Sequence, residues 1–419
     1  MKESVGCMNG IFKIRKKMNN DRITVIDALR GFALLGVILV HMLEHFGYAV
    51  VSLEGEDSLS KWDNAIHWFT DRMIRGKFIS IFSFLFGLSF YIQMERASKK
   101  GIDFRKRFLW RMLLLFVIGL IGISFTYVDI LTIYAVFGVV LVFLFPLKNR
   151  ALMTIVCILL MGVPNWLIIG FDNIRFDNTV NPSPMEAVIP IISEQQVDNK
   201  NTLETTTFFR SAKENLTVKT LEKLKFQFIY SSTGYLILAL FIMGFIVGRL
   251  RFFEQVHIKK KRNIMLLFLF LVSTLILVVA IKFIPNIGGV SFIALARTAL
   301  TNISIITLSA SLAMGFISLY QVDGVRRYLN LLTPYGRMGL TNYEMQNVMG
   351  AILFSAWGVG SFFGSKGAAS LFVLGLMIYF LQVIISKYWM RCFLYGPFEW
   401  LWRSGTYLKW QPFKRKQES

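Results

Sequence analysis

Acidic residues are scarce in this chain: 25 Asp and Glu stand against 46 Lys and Arg, and charged residues of both signs make up only 17% of 419 positions. A soluble chain of this length carries about 25% charged residues, so the shortage argues against a soluble domain. Cysteine is rare as well. Cys7, Cys157 and Cys392 lie far apart without metal-ligand spacing, and no metal site is expected. Cys157 falls inside an apolar run and reads as a small buried residue. The sequence also lacks a glycine-rich phosphate loop, a His-Glu-x-x-His pair and a Gly-x-Ser-x-Gly elbow. A soluble-type hydrolase or a nucleotide-driven pump therefore has no support.

What the chain has in quantity is apolar surface. Apolar residues reach 55%, mean hydropathy is +0.54, and aromatics reach 15% with 39 Phe. The apolar runs recur from end to end, which predicts an all-α polytopic membrane protein rather than one anchor on a soluble body. Phe, Trp and Tyr suit its lipid-facing and interfacial surfaces. A net charge of +21 would suggest nucleic acid in a soluble protein. Here the basic residues cluster in short segments between apolar runs, the positive-inside pattern, so lipid is the expected partner and nucleic acid is not.

About ten spans are predicted, each near the roughly 20 residues that cross the hydrocarbon as a helix. They are Ile23–Phe46, Phe78–Met94, Phe108–Tyr127, Ile130–Leu147, Ala151–Phe171, Phe228–Val247, Ile264–Ile284, Thr298–Tyr320, Met338–Phe362 and Ala368–Tyr388. The stretch Gly288–Tyr320 exceeds one span and contains Arg297, so it is expected to begin as a tilted or interfacial piece. Lys and Arg gather in Lys13–Arg22, Arg96–Arg111, Lys148–Arg150, Arg249–Arg262, Arg326–Arg337 and Arg391–Lys416. That alternation places both termini in the cytoplasm. The resulting plan is a basic N-terminus (1–22), a five-span bundle (23–171), an extracytoplasmic insert (172–227), a second five-span bundle (228–390) and a basic tail (391–419). Residues 1–22 lack the apolar run of a cleaved signal, and the first span is expected to be retained. Tyr48–Lys77 reads as an exterior segment that becomes interfacial around Trp62, His67, Trp68, Arg72 and Arg75. The insert, with the turn signal Asn181-Pro-Ser-Pro184, is expected either to cap an outward-facing site or to remain partly mobile.

Ionisable residues inside a span are costly and point to function. The first span carries Asp27, Arg30, His41, Glu44 and His45. Asp27 and Arg30 are three apart and can pair on one face. Arg30 and His41, eleven apart, share a face about 16 Å apart along the axis. Glu44 and His45 can each reach the His41 imidazole. The ninth span holds a second cluster, Tyr335 to Asn347 with Arg337 at its start, in which Asn342 and Gln346 share one face and Tyr343 and Asn347 another. Glu344 there is an expensive carboxylate unless paired. Arg297, Asn302 and Asp129 are lesser candidates. The bland alternatives are a fold-fixing ion pair at Asp27–Arg30 and interhelical hydrogen bonds from His41 and from the amides.

Four segments resemble the bacterial YeiB-like family, domain of unknown function 418. They are Asp27-Ala-Leu-Arg-Gly-Phe-Ala-Leu-Leu-Gly-Val37, Gly76-Lys-Phe-Ile-Ser-Ile-Phe-Ser-Phe-Leu-Phe-Gly87, Gly336-Arg-Met-Gly-Leu-Thr-Asn-Tyr343 and Tyr395-Gly-Pro-Phe-Glu-Trp-Leu-Trp-Arg403. That family is similar to the wider transmembrane acyltransferases, including acyltransferase-3 and heparan-glucosaminide acetyltransferase proteins. Their signature of Arg, ten residues, then His is matched by Arg30 and His41. The resemblance implies a bacterial cytoplasmic-membrane protein that moves an acyl group from cytoplasmic acyl-CoA, a co-substrate rather than a resident cofactor, to a cell-envelope acceptor. His41 would act as general base with Glu44 orienting it. Arg30, beside Asp27 and Arg337, would hold the donor, and Asn342, Gln346 and Tyr343 would line the reacting group. A small-solute transporter or channel, or a non-catalytic membrane partner or sensor, would use the same polar residues without covalent chemistry.

Overall fold

The computed structural model describes residues 24–48, 60–101, 103–175, 207–256, 259–285 and 291–415. The segment 1–22, the turn signal at Asn181–Pro184 and most of the proposed insert lie outside these residues. The described chain is helical, and its extended pairing is a single bridge between Phe393 and Lys414.

In chain order the helices are α1 (Thr24–Leu43), α2 (Lys61–Phe69), α3 (Lys77–Ser98), α4 (Arg105–Phe125), α5 (Leu131–Leu144), α6 (Asn149–Leu160) and α7 (Val163–Arg175). After the undescribed stretch come α8 (Phe208–Glu214), α9 (Thr220–Lys225), α10 (Thr233–Arg249), α11 (Lys260–Phe283) and α12 (Phe292–Tyr320). The chain closes with α13 (Asp323–Leu329), α14 (Leu332–Arg337), α15 (Gly339–Phe354), α16 (Gly360–Phe363), α17 (Ala368–Cys392) and α18 (Pro397–Tyr407).

Among the described residues six helices are long and apolar enough to cross a bilayer, and the number rises to eight if each of two bent pairs is one passage. The bends are 53° between α6 and α7, at Gly162 with its positive φ, and 71° between the 208–229 stretch and α10. Helix α11 shows why the surrounding medium must be lipid. Only 6% of its most apolar window is buried, leaving Met265, Phe268, Leu275 and Phe283 bare. In water such a continuous apolar face would be untenable; in hydrocarbon it costs nothing. The core lies where α3 packs on α10 and α4 on α5, around Phe90, Phe108, Tyr134, Phe241 and Phe245.

Several boundaries depart from the pattern reading. Residues 61–98 are helical nearly throughout, broken only near Gly76, so part of the expected exterior segment is helix leading into α3. The ninth stretch stops at Phe354, where the chain doubles back and the Val359 amide donates to the Ile352 carbonyl, before the short α16. It needs less length because protein, not lipid, covers most of α15. The Gly288–Tyr320 stretch is one helix from Phe292, with Arg297 donating to the Ile284 carbonyl. Cys157 is exposed on α6 rather than buried; hydropathy alone cannot tell a lipid-facing position from a packed one.

Candidate functional site

Helix α1 is unbroken from Thr24 to Leu43, so Arg30 and His41 do lie on one face, roughly 16 Å apart at 1.5 Å per residue. The two ends of that face meet different surroundings.

At the first end, Asp27 and Arg30 form the expected pair, Arg30 Nη1 donating to Asp27 Oδ1 at 2.8 Å. Arg30 Nη2 donates to Ser89 Oγ of α3 at 3.0 Å. Helix α14 crosses α1 here at backbone contact. A Cβ on Gly336 would stand 1.8 Å from the Asp27 carbonyl oxygen, and one on Gly31 would stand 2.6 Å from that of Leu332. Only glycine permits that approach, and it brings the neighbouring Arg337 to the Asp27–Arg30 pair.

Between α1, α3, α4 and α14 lies a cavity of about 360 Å³. Arg30, Arg96, Arg111 and Arg337 contribute to its wall, against the carboxylates of Asp27 and Glu399. Both carboxylates are engaged. Asp27 pairs with Arg30, and Glu399 accepts from the Thr341 hydroxyl at 2.5 Å and from the Leu340 and Thr341 amides at 2.7 and 3.0 Å. Glu399 thus caps the start of α15 from the far end of the sequence. Burial pushes its carboxyl above the usual range, and the Thr341 and Leu340 hydrogen bonds oppose that shift. The Arg111 guanidinium lies 3.7 Å from the Trp402 ring centroid, its Nε is buried without a hydrogen-bond partner, and Trp402 Nε1 donates to the Arg111 carbonyl at 2.9 Å. The rest of the wall is largely aromatic and apolar, including Phe82, Phe86, Phe90 and Phe108, and Leu131, Tyr134 and Tyr343 also line it. A cationic end joined to an aromatic end suits an anionic amphiphile.

At the other end of α1, His41 is absent from the cavity wall. Its Nδ1 lies 3.7 Å from Glu44 Oε2, within ion-pair range but beyond hydrogen-bond reach, and has no hydrogen-bond partner. Glu44 is instead held by Arg75, whose Nε also donates to Asp71 at 2.8 Å. His45 and Phe46 both have positive φ and turn the chain sharply, and His45 Nε2 is buried without a partner. Consecutive non-glycine residues in this region are strained. Burial of Phe46 and the Thr126 hydroxyl, which donates to the Phe46 carbonyl at 2.6 Å, hold the turn.

The ninth-stretch amides are engaged elsewhere. Asn342 donates to the Tyr335 carbonyl at 3.1 Å and to Ser386 at 3.0 Å; Gln346 donates to the Tyr335 hydroxyl at 2.8 Å and to Gln382 at 3.1 Å. Neither lines the cavity, so the structure separates them from Asp27, Arg30 and Arg337 and shows them joining α15 to α14 and α17. Tyr343 does line it, its hydroxyl accepting from the Ile130 amide at 3.0 Å. Asn302 likewise bridges helices, donating to the Leu160 carbonyl at 2.9 Å. Sequence reading missed Arg96 and Arg111 as site residues because they bounded a loop rich in Lys and Arg, which topology alone explained. The available signal was Arg111 itself, more than a turn inside α4. It also missed Trp402 and Glu399, which only the folded tail brings to the cavity.

Fold and cavity together define a multi-helix membrane protein with a cationic, aromatic-walled cavity beside its first helix. Residues 247–409 match the family described as Protein of unknown function (DUF418), and residues 22–176 match Heparan-alpha-glucosaminide N-acetyltransferase, catalytic. The chain is 27% identical to Uncharacterized protein YxaH of Bacillus subtilis (strain 168), covering 96% of this chain and 98% of that one. It is 24% identical to Uncharacterized protein YeiB of Escherichia coli (strain K12), covering 92% and 96%. The YeiB-like resemblance carried by the four motifs is therefore borne out. The two family matches meet at the cavity: Arg30, Arg96 and Arg111 come from the acetyltransferase match, and Arg337, Glu399 and Trp402 from the DUF418 match.

Proposed function

We propose that this protein is a membrane acyltransferase that takes an acyl group from cytoplasmic acyl-CoA and passes it to a hydroxyl or amine at or outside the membrane. The observation that carries the reading is the cavity, where four arginines stand beside an aromatic wall within a chain whose N-terminal part matches an acetyltransferase catalytic family. Arg96, Arg111 and Arg337 would bind the donor's phosphates, a role suited to planar, permanently charged guanidinium groups. Arg30, fixed by Asp27 and Ser89, would hold polar groups of the pantetheine arm. That arm is the part of the donor able to run along α1 toward His41. His41 would deprotonate the acceptor, which attacks the thioester carbonyl; the C–S bond breaks and CoA leaves as the thiol after taking a proton. Because Leu131, Tyr134 and Tyr343 line the cavity and His41 does not, this chemistry requires the wall to open toward His41. Glu44 would then exchange Arg75 for the imidazole, 3.7 Å away.

The finer topology belongs to the same reading. Taking each bent pair as one passage, and adding α5 and α15, gives ten passages in the bacterial cytoplasmic membrane with both termini inside. The cavity's Arg96 and Arg111 then lie on the cytoplasmic side, where acyl-CoA is found, with a cell-envelope acceptor reaching the opposite end.

Purified protein incubated with acyl-CoA and candidate acceptors is expected to release free thiol, and His41→Ala to abolish the release while acyl-CoA still binds. The rival is a transporter for a small anionic solute, favoured by the two bent helix pairs. Their breaks at Gly162 and Ser231–Ser232 do not line the cavity, which counts against it. Solute flux into liposomes that survives His41→Ala, with no acyl-CoA binding, would replace the enzyme with the transporter.

A further inference from the structure

Behind the cavity, where the α4–α5 loop meets α15, two carboxylates are buried together. Asp129 is fully buried and Glu344 is 3% exposed. Both approach Gly122 of α4: a Cβ there would stand 2.7 and 2.9 Å from the Glu344 oxygens and 3.2 Å from Asp129 Oδ1. The missing side chain is the space in which the two acids face one another.

Their partners are unequal. Asp129 Oδ1 accepts from Asn347 Nδ2 at 3.1 Å, and Oδ2 accepts from the Leu131 amide at 3.0 Å. Glu344 Oε1 has no partner, and neither does the fully buried carboxamide oxygen of Asn347. Two orphaned acceptors beside a second carboxylate require a donor. The titratable groups facing the pair from neighbouring elements are Lys223 of α9 and Tyr343 of α15, while α4 presents Gly122. Lys223 donates to the backbone carbonyls of Tyr127 and Asp129. With both acids ionised, one ammonium leaves a net negative charge in a buried site; with one proton bound, the cluster is neutral. Like charges this close and this buried cannot both stay ionised.

We infer that Asp129 and Glu344 form a proton-binding site, with the proton held on Glu344 and donated toward Asp129 or Asn347. Lys223 balances the remaining negative charge and docks the outer 208–229 stretch on the α4–α5 loop. Asn215 in the same stretch donates to the Phe125 carbonyl at 3.3 Å, and the Phe208 ring lies 5.3 Å from that of Phe125. Proton loss leaves uncompensated charge beneath this contact. The site does not depend on acyl transfer and stands whether or not His41 is catalytic.

The test is infrared spectroscopy of the purified full-length protein, following the carbonyl stretch of protonated carboxylic acids as pH is varied. The expected result is an acid band at neutral pH that is lost in Glu344→Gln. In Asp129→Asn the band should disappear at lower pH than in the wild type, because the like-charge neighbour is gone. Thermal stability supplies a second readout. An acid protonated in the fold stabilises at low pH and ceases to do so as pH rises through its folded pKa, so melting temperature should fall with pH in the wild type and much less in Glu344→Gln. Absence of the band at neutral pH, or its survival in Glu344→Gln, would overturn the assignment. Replacement of the wild-type band by sodium, with a rise in melting temperature that choline does not give, would make it a metal-cation site instead. If neither variant folds, the wild-type band still decides: its absence overturns the site, and its persistence in Asp27→Asn and Glu399→Gln without a sodium response supports it.

Discussion

The two ends of α1 carry the same kinds of residue to different ends. Near its start, Asp27 and Arg30 face a cavity, and two close glycine contacts bring Arg337 beside them. Near its finish, His41 and His45 are packed among aromatic rings with ring nitrogens unpartnered, and Glu44 is held by Arg75. The difference suggests a division of labour. The first end has formed hydrogen bonds and lines the cavity; the second has unmet hydrogen-bonding capacity and does not, and in the proposed function the first would bind and the second react.

That division can be broken by mutation. The largest effect is expected from His41→Ala, which should lower thiol release by about 10²–10⁴-fold, the range for a lost general base, with donor affinity unchanged. Arg111→Ala and Arg337→Ala should each weaken acyl-CoA binding by roughly ten- to a hundredfold, taking about 1.5–3 kcal/mol for a charged hydrogen bond; titration calorimetry measures this directly. Gly336→Ala forces a Cβ against the Asp27 carbonyl and should cost about 1–3 kcal/mol by overpacking, lowering melting temperature and donor affinity together. Glu399→Ala removes the cap on α15 and should cost about 0.5–2 kcal/mol. Smallest is Asn342→Ala, expected to cost about 0.6–1.7 kcal/mol as a lost interhelical bond, with acyl-CoA affinity unchanged; a loss of affinity would return the amides to the site.

The residues of α1 were legible in the sequence because one regular helix fixes their spacing: the Asp27–Arg30 pair and the shared face with His41 follow from 3.6 residues per turn. Side-chain choice between competing partners was not. Glu44 sits three residues from His41 yet binds Arg75, 31 residues further along the chain. The role of the tail was equally hidden. The ending reads as a basic cytoplasmic tail, but Trp402 stacks on Arg111 and Glu399 caps α15. Those contacts join positions 291 and 59 residues apart, and no local period encodes them. Span lengths blurred for a related reason: α15 is covered by protein and α11 is not, while hydropathy records only that both are apolar enough.

The most direct test of the binding-and-reaction division is the dissociation constant for acyl-CoA in the wild type, Arg337→Ala and His41→Ala. The structure predicts weaker binding by roughly ten- to a hundredfold in Arg337→Ala and an unchanged constant in His41→Ala. Equal affinity in all three, or a loss confined to His41→Ala, would contradict the assignment of the cavity to the donor.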